Sequence, residues 1–129
     1  MNSELTLGGQ AWRGEGDITS TVGSYYEYEL GFIRVNGVNY PIKRRMVYLG
    51  YLPNNNVQEY STGITNMNGM ISISVIADDG SYCRPIPFVG TSTLASQINM
   101  SYNKSSNKIS ITTGTDRSTN KAVGVIEYY

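Results

Sequence analysis

Asp116 and Arg117, adjacent in the run Thr113-Gly114-Thr115-Asp116-Arg117-Ser118, form the pair in this sequence best placed to hold a ligand. A guanidinium can clamp an anion or a sugar hydroxyl. Sequence neighbours in a strand rarely serve as each other's partner, however, and Asp, Ser and Thr favour turns through local side-chain to backbone bonds. A plain turn is therefore the stronger reading of this run. Asn54-Asn55-Asn56 offers amide donors and acceptors suited to saccharides, in a composition that also suits a polar turn. Asp78-Asp79-Gly80 has the carboxylates and glycine of a hard-cation loop, but no acidic or Asn alternation continues past Gly80, and a hairpin turn explains it more cheaply. Tyr25, Tyr26 and Tyr28 could stack on sugar rings; Tyr26 and Tyr28 share a strand face, which suits burial equally well. Glycoside cleavage needs two acids facing one pocket, and nothing singles out a pair among the ten present. The candidate ligand-binding residues are thus Asn54, Asn55, Asn56, Asp116 and Arg117. No catalytic residue, metal-ligand set or cofactor is expected, and the chain reads as a non-enzyme.

The rest of the composition narrows the chemistry. With no histidine and one cysteine, Cys83, the chain has no disulfide framework, no Cys/His zinc site, and neither Ser-His-Asp nor Cys-His catalysis. Ten basic residues balance ten acidic ones, which argues against a nucleic-acid partner. The one basic cluster, Lys43-Arg44-Arg45, reads as a solvated face or an interface. No stretch is apolar for long enough to insert in a membrane, and the N-terminus has neither the basic start nor the apolar run of a secretory signal. Eleven Tyr against two Phe and one Trp, with many Asn, Ser and Thr, suit a surface that binds through hydrogen bonds and flat apolar contacts. They suit an extracellular or virion β-protein equally.

The elements that must position these residues are short strands. Asn36-Gly37 predicts a two-residue type I′ hairpin pairing Val35 with Val38, Arg34 with Asn39, Ile33 with Tyr40 and Phe32 with Pro41. Upstream, Tyr26, Tyr28 and Leu30 alternate with Glu27, Glu29 and Gly31, and Gly31 marks a bulge. Pro41 is expected to cap the regular pairing, with Met46-Val47-Tyr48-Leu49 strand-like beyond it. Residues 57–64 and 70–77 read as strands, the latter with Ile71, Ile73 and Val75 on one face. Asp79-Gly80 predicts a hairpin pairing Ala77 with Tyr82, and Pro85 and Pro87 make the outgoing arm an edge strand or an extended segment. Ile98, Met100 and Tyr102, then Ile109 and Ile111, then residues 122–129 complete the set. Residues 1–23, punctuated by glycines, read as weakly structured apart from a short strand at Leu5-Thr6-Leu7, with Trp12 folded back onto the domain. The fold class is all-β, an antiparallel β-sandwich of about eight strands at residues 24–129, behind an N-terminal extension or connecting segment at 1–23.

Six motifs, in order, carry a resemblance. They are NGVNYPIKRR, LGYLPNNN, STGITNMNGMISIS, DDGSYCRPIPFV, NKISITTGTDRS and AVGVIEYY. Together, over roughly residues 30–129, they resemble the C-terminal β-sandwich domain of bacteriophage tail-fibre and head-fibre proteins. Lys43 stands where that family usually has an aromatic, and the closing strand stops at Tyr129, short of the family's ending. The resemblance implies a jelly-roll-like sandwich, assembly as a homotrimer at a fibre end, and location on the virion. It also implies attachment to a bacterial cell-surface saccharide or protein. Residues 1–23 match no part of that family, and other virion proteins are expected to be met through this N-terminal segment. The rival readings are a structural trimerising fibre tip or capsid head fibre without a specific ligand, a depolymerase fragment, and a bacterial lectin outside any virus. Burial of Tyr128 and Ile126 between subunits would favour the structural tip.

Overall fold

A computed structural model describes residues 2–7, 10–89 and 94–129. The chain is all-β, with ten strands in two antiparallel sheets among the described residues. In chain order the strands are β1 (Asn2–Leu7), β2 (Gln10–Gly16), β3 (Tyr25–Val35), β4 (Val38–Tyr51), β5 (Val57–Ser61), β6 (Met70–Asp78), β7 (Cys83–Ile86), β8 (Ile98–Asn103), β9 (Lys108–Thr113) and β10 (Lys121–Tyr128). A three-residue 3-10 turn, Leu94–Ser96, precedes β8. The larger sheet runs β1-β2-β3-β4-β10-β6-β7, and the smaller runs β5-β9-β8. Strand β4 pairs with β10 in the large sheet; after both chains cross over, their continuations β5 and β9 pair in the small sheet. This rolled double ribbon makes the sandwich jelly-roll-like.

The core lies between the two sheets. Val47 and Leu49 of β4, Val75 and Ala77 of β6, and Ala122 and Ile126 of β10 meet Ile98, Ile109 and Ile111 of the small sheet, all buried. Fully burying one such aliphatic side chain contributes roughly 1.5–3 kcal/mol, so these positions fix which face of each strand turns inward.

The Asn36-Gly37 hairpin has the register expected of it, with φ of 49° and 80° at its two central residues. The bulge falls between Glu29 and Gly31, and Gly31 sits at φ 138°. Pro41 does not end the pairing: β4 continues through it to Tyr51. Val35 and Val38 flank a two-residue turn, so Phe32 and Pro41, three pairs on, form a non-hydrogen-bonded pair, and the missing N–H costs no ladder bond there. On the other side of β4, pairing with β10 begins only at Lys43.

Four further expectations change. Residues 2–7 and 10–16, read as weakly structured beyond Leu5-Thr6-Leu7, form strands β1 and β2, which pair with each other, and β2 joins the sheet through three pairs with β3. The side chain of Trp12 lies outside the described residues. In β3 the inward face carries Tyr25 and Glu27, opposite Val47 and Arg45, while Tyr26 and Tyr28 lie on the outer face opposite Met46 and Arg44. Ile73 and Val75 face the core as expected, but Ile71 is exposed, beside a register shift that sets Tyr128 opposite Met70 and Glu127 opposite Ser72. The β6–β7 loop is wider than expected: Ala77 pairs with Arg84 and Asp78 with Cys83.

Inside the sandwich, Arg45 is buried rather than solvated. Its Nε donates to Glu27 Oε1 at 3.0 Å, its Nη1 to the Thr62 carbonyl at 3.0 Å, and its guanidinium lies 3.8 Å from the centre of the Tyr25 ring. The Tyr128 hydroxyl donates to the same Glu27 oxygen. Thr62 Oγ1 in turn donates to the Asn107 carbonyl at 2.7 Å, and the Tyr102 hydroxyl donates to Asn107 Oδ1 at 3.0 Å. This network ties β3, β4 and β10 to the small sheet. Burial raises the phenol pKa of Tyr128, and its bond to Glu27 raises it further; burial also raises that of Tyr102. Tyr128 and Ile126 are buried within the chain's own core and so are no sign of a subunit interface.

Candidate ligand-binding loops

The expected site residues sit on the two crossovers that carry the rolled ribbon from one sheet to the other, residues 52–56 and 114–120. These run side by side and are paired through the backbone. Leu52 N donates to Asn120 O at 2.9 Å, Arg117 N to Pro53 O at 3.1 Å, Asn55 N to Thr115 O at 3.0 Å, and Thr113 N to Asn56 O at 2.9 Å. Asn54 and Asp116 form a β-bridge between them. The buried Thr113 hydroxyl donates to Pro53 O at 3.0 Å, and the buried Leu52 side chain anchors the strip to the core. Asn55 takes φ 46°, a left-handed conformation Asn tolerates better than most residues.

Asn54, Asn55, Asn56 and Asp116, some 60 residues apart in sequence, thus share one exposed strip. Among the described residues the Asn54 and Asn55 side chains make no hydrogen bond, which leaves their amides free to donate and accept. Asn56 is partly spent, since its Oδ1 accepts from Val57 N at 2.8 Å. Asp116 Oδ1 accepts from Ser118 N at 2.9 Å and from the Ser118 hydroxyl at 2.6 Å. Those bonds hold its carboxyl below the usual carboxylate pKa. Arg117 is not the partner of Asp116. Its Nη2 donates to Ser96 O at 2.7 Å, and its guanidinium lies 5.7 Å from the Phe88 ring centre.

The remaining candidates separate. Tyr26 and Tyr28 stack at 5.8 Å on the outer face, while Tyr25 lies inside under Arg45, so the three tyrosines form no single platform. The Asp78-Asp79-Gly80 loop is a side-chain-capped turn. Asp78 Oδ1 accepts from Gly80 N, and Asp79 Oδ1 accepts from Ser81 N and Tyr82 N. Asp79 Oδ2 accepts from Arg84 Nη1 at 2.8 Å. The Arg84 bond and the two backbone bonds depress the Asp79 pKa to about 2. Among the described residues no three Cys, Asp or Glu side chains come together to hold a metal ion. An open depression of about 450 Å³ lies apart from the strip, between the end of β2 and the start of β3, lined by Glu15, Asp17, Thr21 and Val22 among others.

The sequence reading missed Tyr82, Arg84 and Phe88, which gather beside Arg117. The available signal was Arg84 two residues after Tyr82, since residues two apart on a strand share a face. None of the described helices is long and apolar enough to cross a membrane. No protein-family model matches this chain, and no curated protein or solved structure matches it.

Proposed function

We propose that this chain is the head domain of a bacteriophage fibre, on tail or capsid, that attaches the virion non-covalently to a saccharide on the bacterial surface. The observation that carries this reading is the pairing of the two crossovers. LPNNN and TTGTDRS, parts of two of the motifs behind the fibre resemblance, form one exposed strip that backbone bonds hold together and whose Asn54 and Asn55 side-chain amides are unspent. Amides of this kind suit sugar hydroxyls, as donor and acceptor at once. A single strip of this size binds weakly; three copies at a fibre tip would raise the effective concentration and give avidity without new contacts. In this reading residues 1–23 face the other virion proteins, and no reaction is catalysed.

The structural-tip reading has its own support, an apolar outer face on the large sheet. Met46 and Tyr48 lie opposite Val125 and Val123, and Ile76 beside them is 43% exposed. A face of this composition suits contact with a second and third copy. Both readings therefore expect a trimer, and cell binding separates them. The purified, labelled domain is incubated with a panel of bacteria before and after their surface polysaccharide is stripped. Saturable binding lost on stripping is expected. A trimeric domain that binds no strain would leave the structural tip.

A further inference from the structure

We infer that Tyr82, Arg84, Phe88 and Arg117 form a subsite for an anionic sugar, one bearing a carboxylate or a phosphate; this rests on the adhesion reading and names the chemistry of its ligand. The four residues come from separate places. Tyr82 ends the β6–β7 loop, Arg84 lies on edge strand β7, Phe88 follows that strand, and Arg117 arrives from the far crossover. Phe88 is held in place by reciprocal backbone bonds with Ile98, each 2.9 Å. The two guanidiniums lie 5.6 Å and 5.7 Å from its ring centre, and that of Arg84 is also 5.7 Å from the Tyr82 ring. All three distances fall within cation–π range.

The hydrogen-bond inventory gives the sign of the ligand. Asp79, the carboxylate in the cluster, already accepts from Ser81 N, Tyr82 N and Arg84 Nη1. It positions Arg84 and has little capacity left for a ligand hydroxyl. Each guanidinium carries five N–H donors, and those of Arg84 and Arg117 spend one apiece on the bonds seen here. Arg117 rests on a neutral carbonyl, that of Ser96, and pairs with no carboxylate among the described residues. Its Nε is buried, so what it can offer a ligand is the Nη N–H groups that the Ser96 bond leaves over. The cluster therefore has donors to offer and few acceptors. Planar guanidinium forks match carboxylate and phosphate oxygens in particular. Beside them the Tyr82 ring, 69% exposed, offers a flat apolar face to the C–H side of a sugar. A purely structural cluster stapling β7 to the crossover has no need of that exposed ring.

The test titrates the full chain, followed by backbone and arginine Nε NMR signals, with three chains of equal length: a uronic-acid oligosaccharide, a sugar-phosphate oligomer and a neutral oligosaccharide. Saturable shifts at Tyr82, Arg84 and Arg117 with at least one anionic chain are expected, with binding to the neutral chain weaker by about tenfold or more. Whichever anionic chain binds identifies carboxylate or phosphate. Tyr82→Ala and Arg84→Gln should each weaken binding about fivefold or more, and Tyr82→Ala should do so at unchanged melting temperature. Arg84→Lys, which keeps the charge and loses the fork, guards against a folding defect in Arg84→Gln. Absence of shifts with both anionic chains, equal binding of the neutral chain, or an unaltered affinity for Tyr82→Ala would each overturn the subsite. Cells bound equally well by parent and Tyr82→Ala would reject the subsite and leave adhesion standing. Cells left unbound by a domain that still takes the anionic oligosaccharide would reject adhesion and keep the subsite.

Discussion

Replacing Arg45 by Met should be among the most damaging single changes in this chain, although Arg45 sits in a run of three basic residues. The side chains of Arg45 and Glu27 are 9% and 14% exposed and 3.0 Å apart. Truncating one member leaves the other's charge buried against a low-dielectric core, a loss of about 3–5 kcal/mol. Arg45→Met also removes the contact with the Tyr25 ring and leaves the Thr62 carbonyl without its donor. For a domain of this size that corresponds to a fall in melting temperature of roughly 3–5 °C per kcal/mol. Glu27→Gln keeps the shape, leaves Arg45 its bond to Thr62, and should cost about 2–3 kcal/mol. The double variant Glu27→Gln, Arg45→Met should lose about 1–3 kcal/mol less than the sum, because the second change removes a charge already stranded by the first. The neighbour supplies the control. Arg44 meets Glu127 at 3.8 Å with side chains 39% and 27% exposed, so Arg44→Met should stay within about 0.5–1 kcal/mol of the parent. Urea unfolding at fixed protomer concentration measures all four. An Arg45→Met variant within about 1 kcal/mol of the parent, or strict additivity in the cycle, would refute the buried-network argument.

Other outcomes follow from single contacts. Asn36→Ala should cost about 1–2 kcal/mol, because Asn36 sits at φ 49°, and Asn36→Gly should be near neutral; equal losses in thermal melts would reject the type I′ assignment. A Cβ on Gly114 would lie 2.4 Å from the backbone oxygen of Ala95, so Gly114→Ala must push the 3-10 turn away from the crossover. It should cost about 1–3 kcal/mol and shift the NMR signals of Ser96 and Arg117; an unchanged spectrum would contradict that contact. Burial raises the Tyr60 pKa to about 12 from an ordinary 10, and raises those of Tyr102 and Tyr128 as well. Stability held by a raised phenol pKa is fully present below pH 10 and lost as pH climbs beyond it. Tyrosinate absorbance should therefore show a late fraction that ionises together with loss of β-sheet circular dichroism, and a single early titration with the fold intact would refute it. At the acid end Asp79, depressed to about 2, contributes stability present above its ordinary pKa of 3.8 and lost between there and about 2; Asp79→Asn should flatten that part of the acid unfolding curve.

What could be read from the sequence was what neighbours in the chain decide for themselves. Asn36-Gly37 determines its turn through backbone conformation, and the register of β3 with β4 near the turn follows from it. The alternation of β8 and β9 places Ile98, Ile109 and Ile111 in the core for the same local reason. Alternation gives a period without a phase, and β3 shows the consequence. Tyr and Glu alternate there, and apolarity alone turns Tyr26 and Tyr28 inward. A buried Arg45, eighteen residues away, reverses the choice by giving Glu27 a partner inside. The Asp79-Gly80 register failed because two Asp side chains capture backbone N–H groups and hold open a wider loop. No local signal could have joined Asn54 to Asp116, since their bridge depends on how β4 and β10 roll together.

That bridge also explains why the crossover strip suits a variable contact surface better than the sandwich faces do. Its shape rests on backbone bonds and on the buried Leu52 and Thr113, so Asn54 can change without loosening the turn, whereas Asn55, at φ 46°, gives way without strain only to glycine. Arg117 belongs to a different arrangement. Its guanidinium is committed to Ser96 and Phe88, which couples one end of the strip to the cluster that Tyr82 exposes. A ligand long enough to span both would meet neutral amides at one end and guanidiniums at the other. On the proposed adhesion reading, a polysaccharide of mixed neutral and acidic residues would suit the two patches better than a uniform one, because each discriminates by a different chemistry.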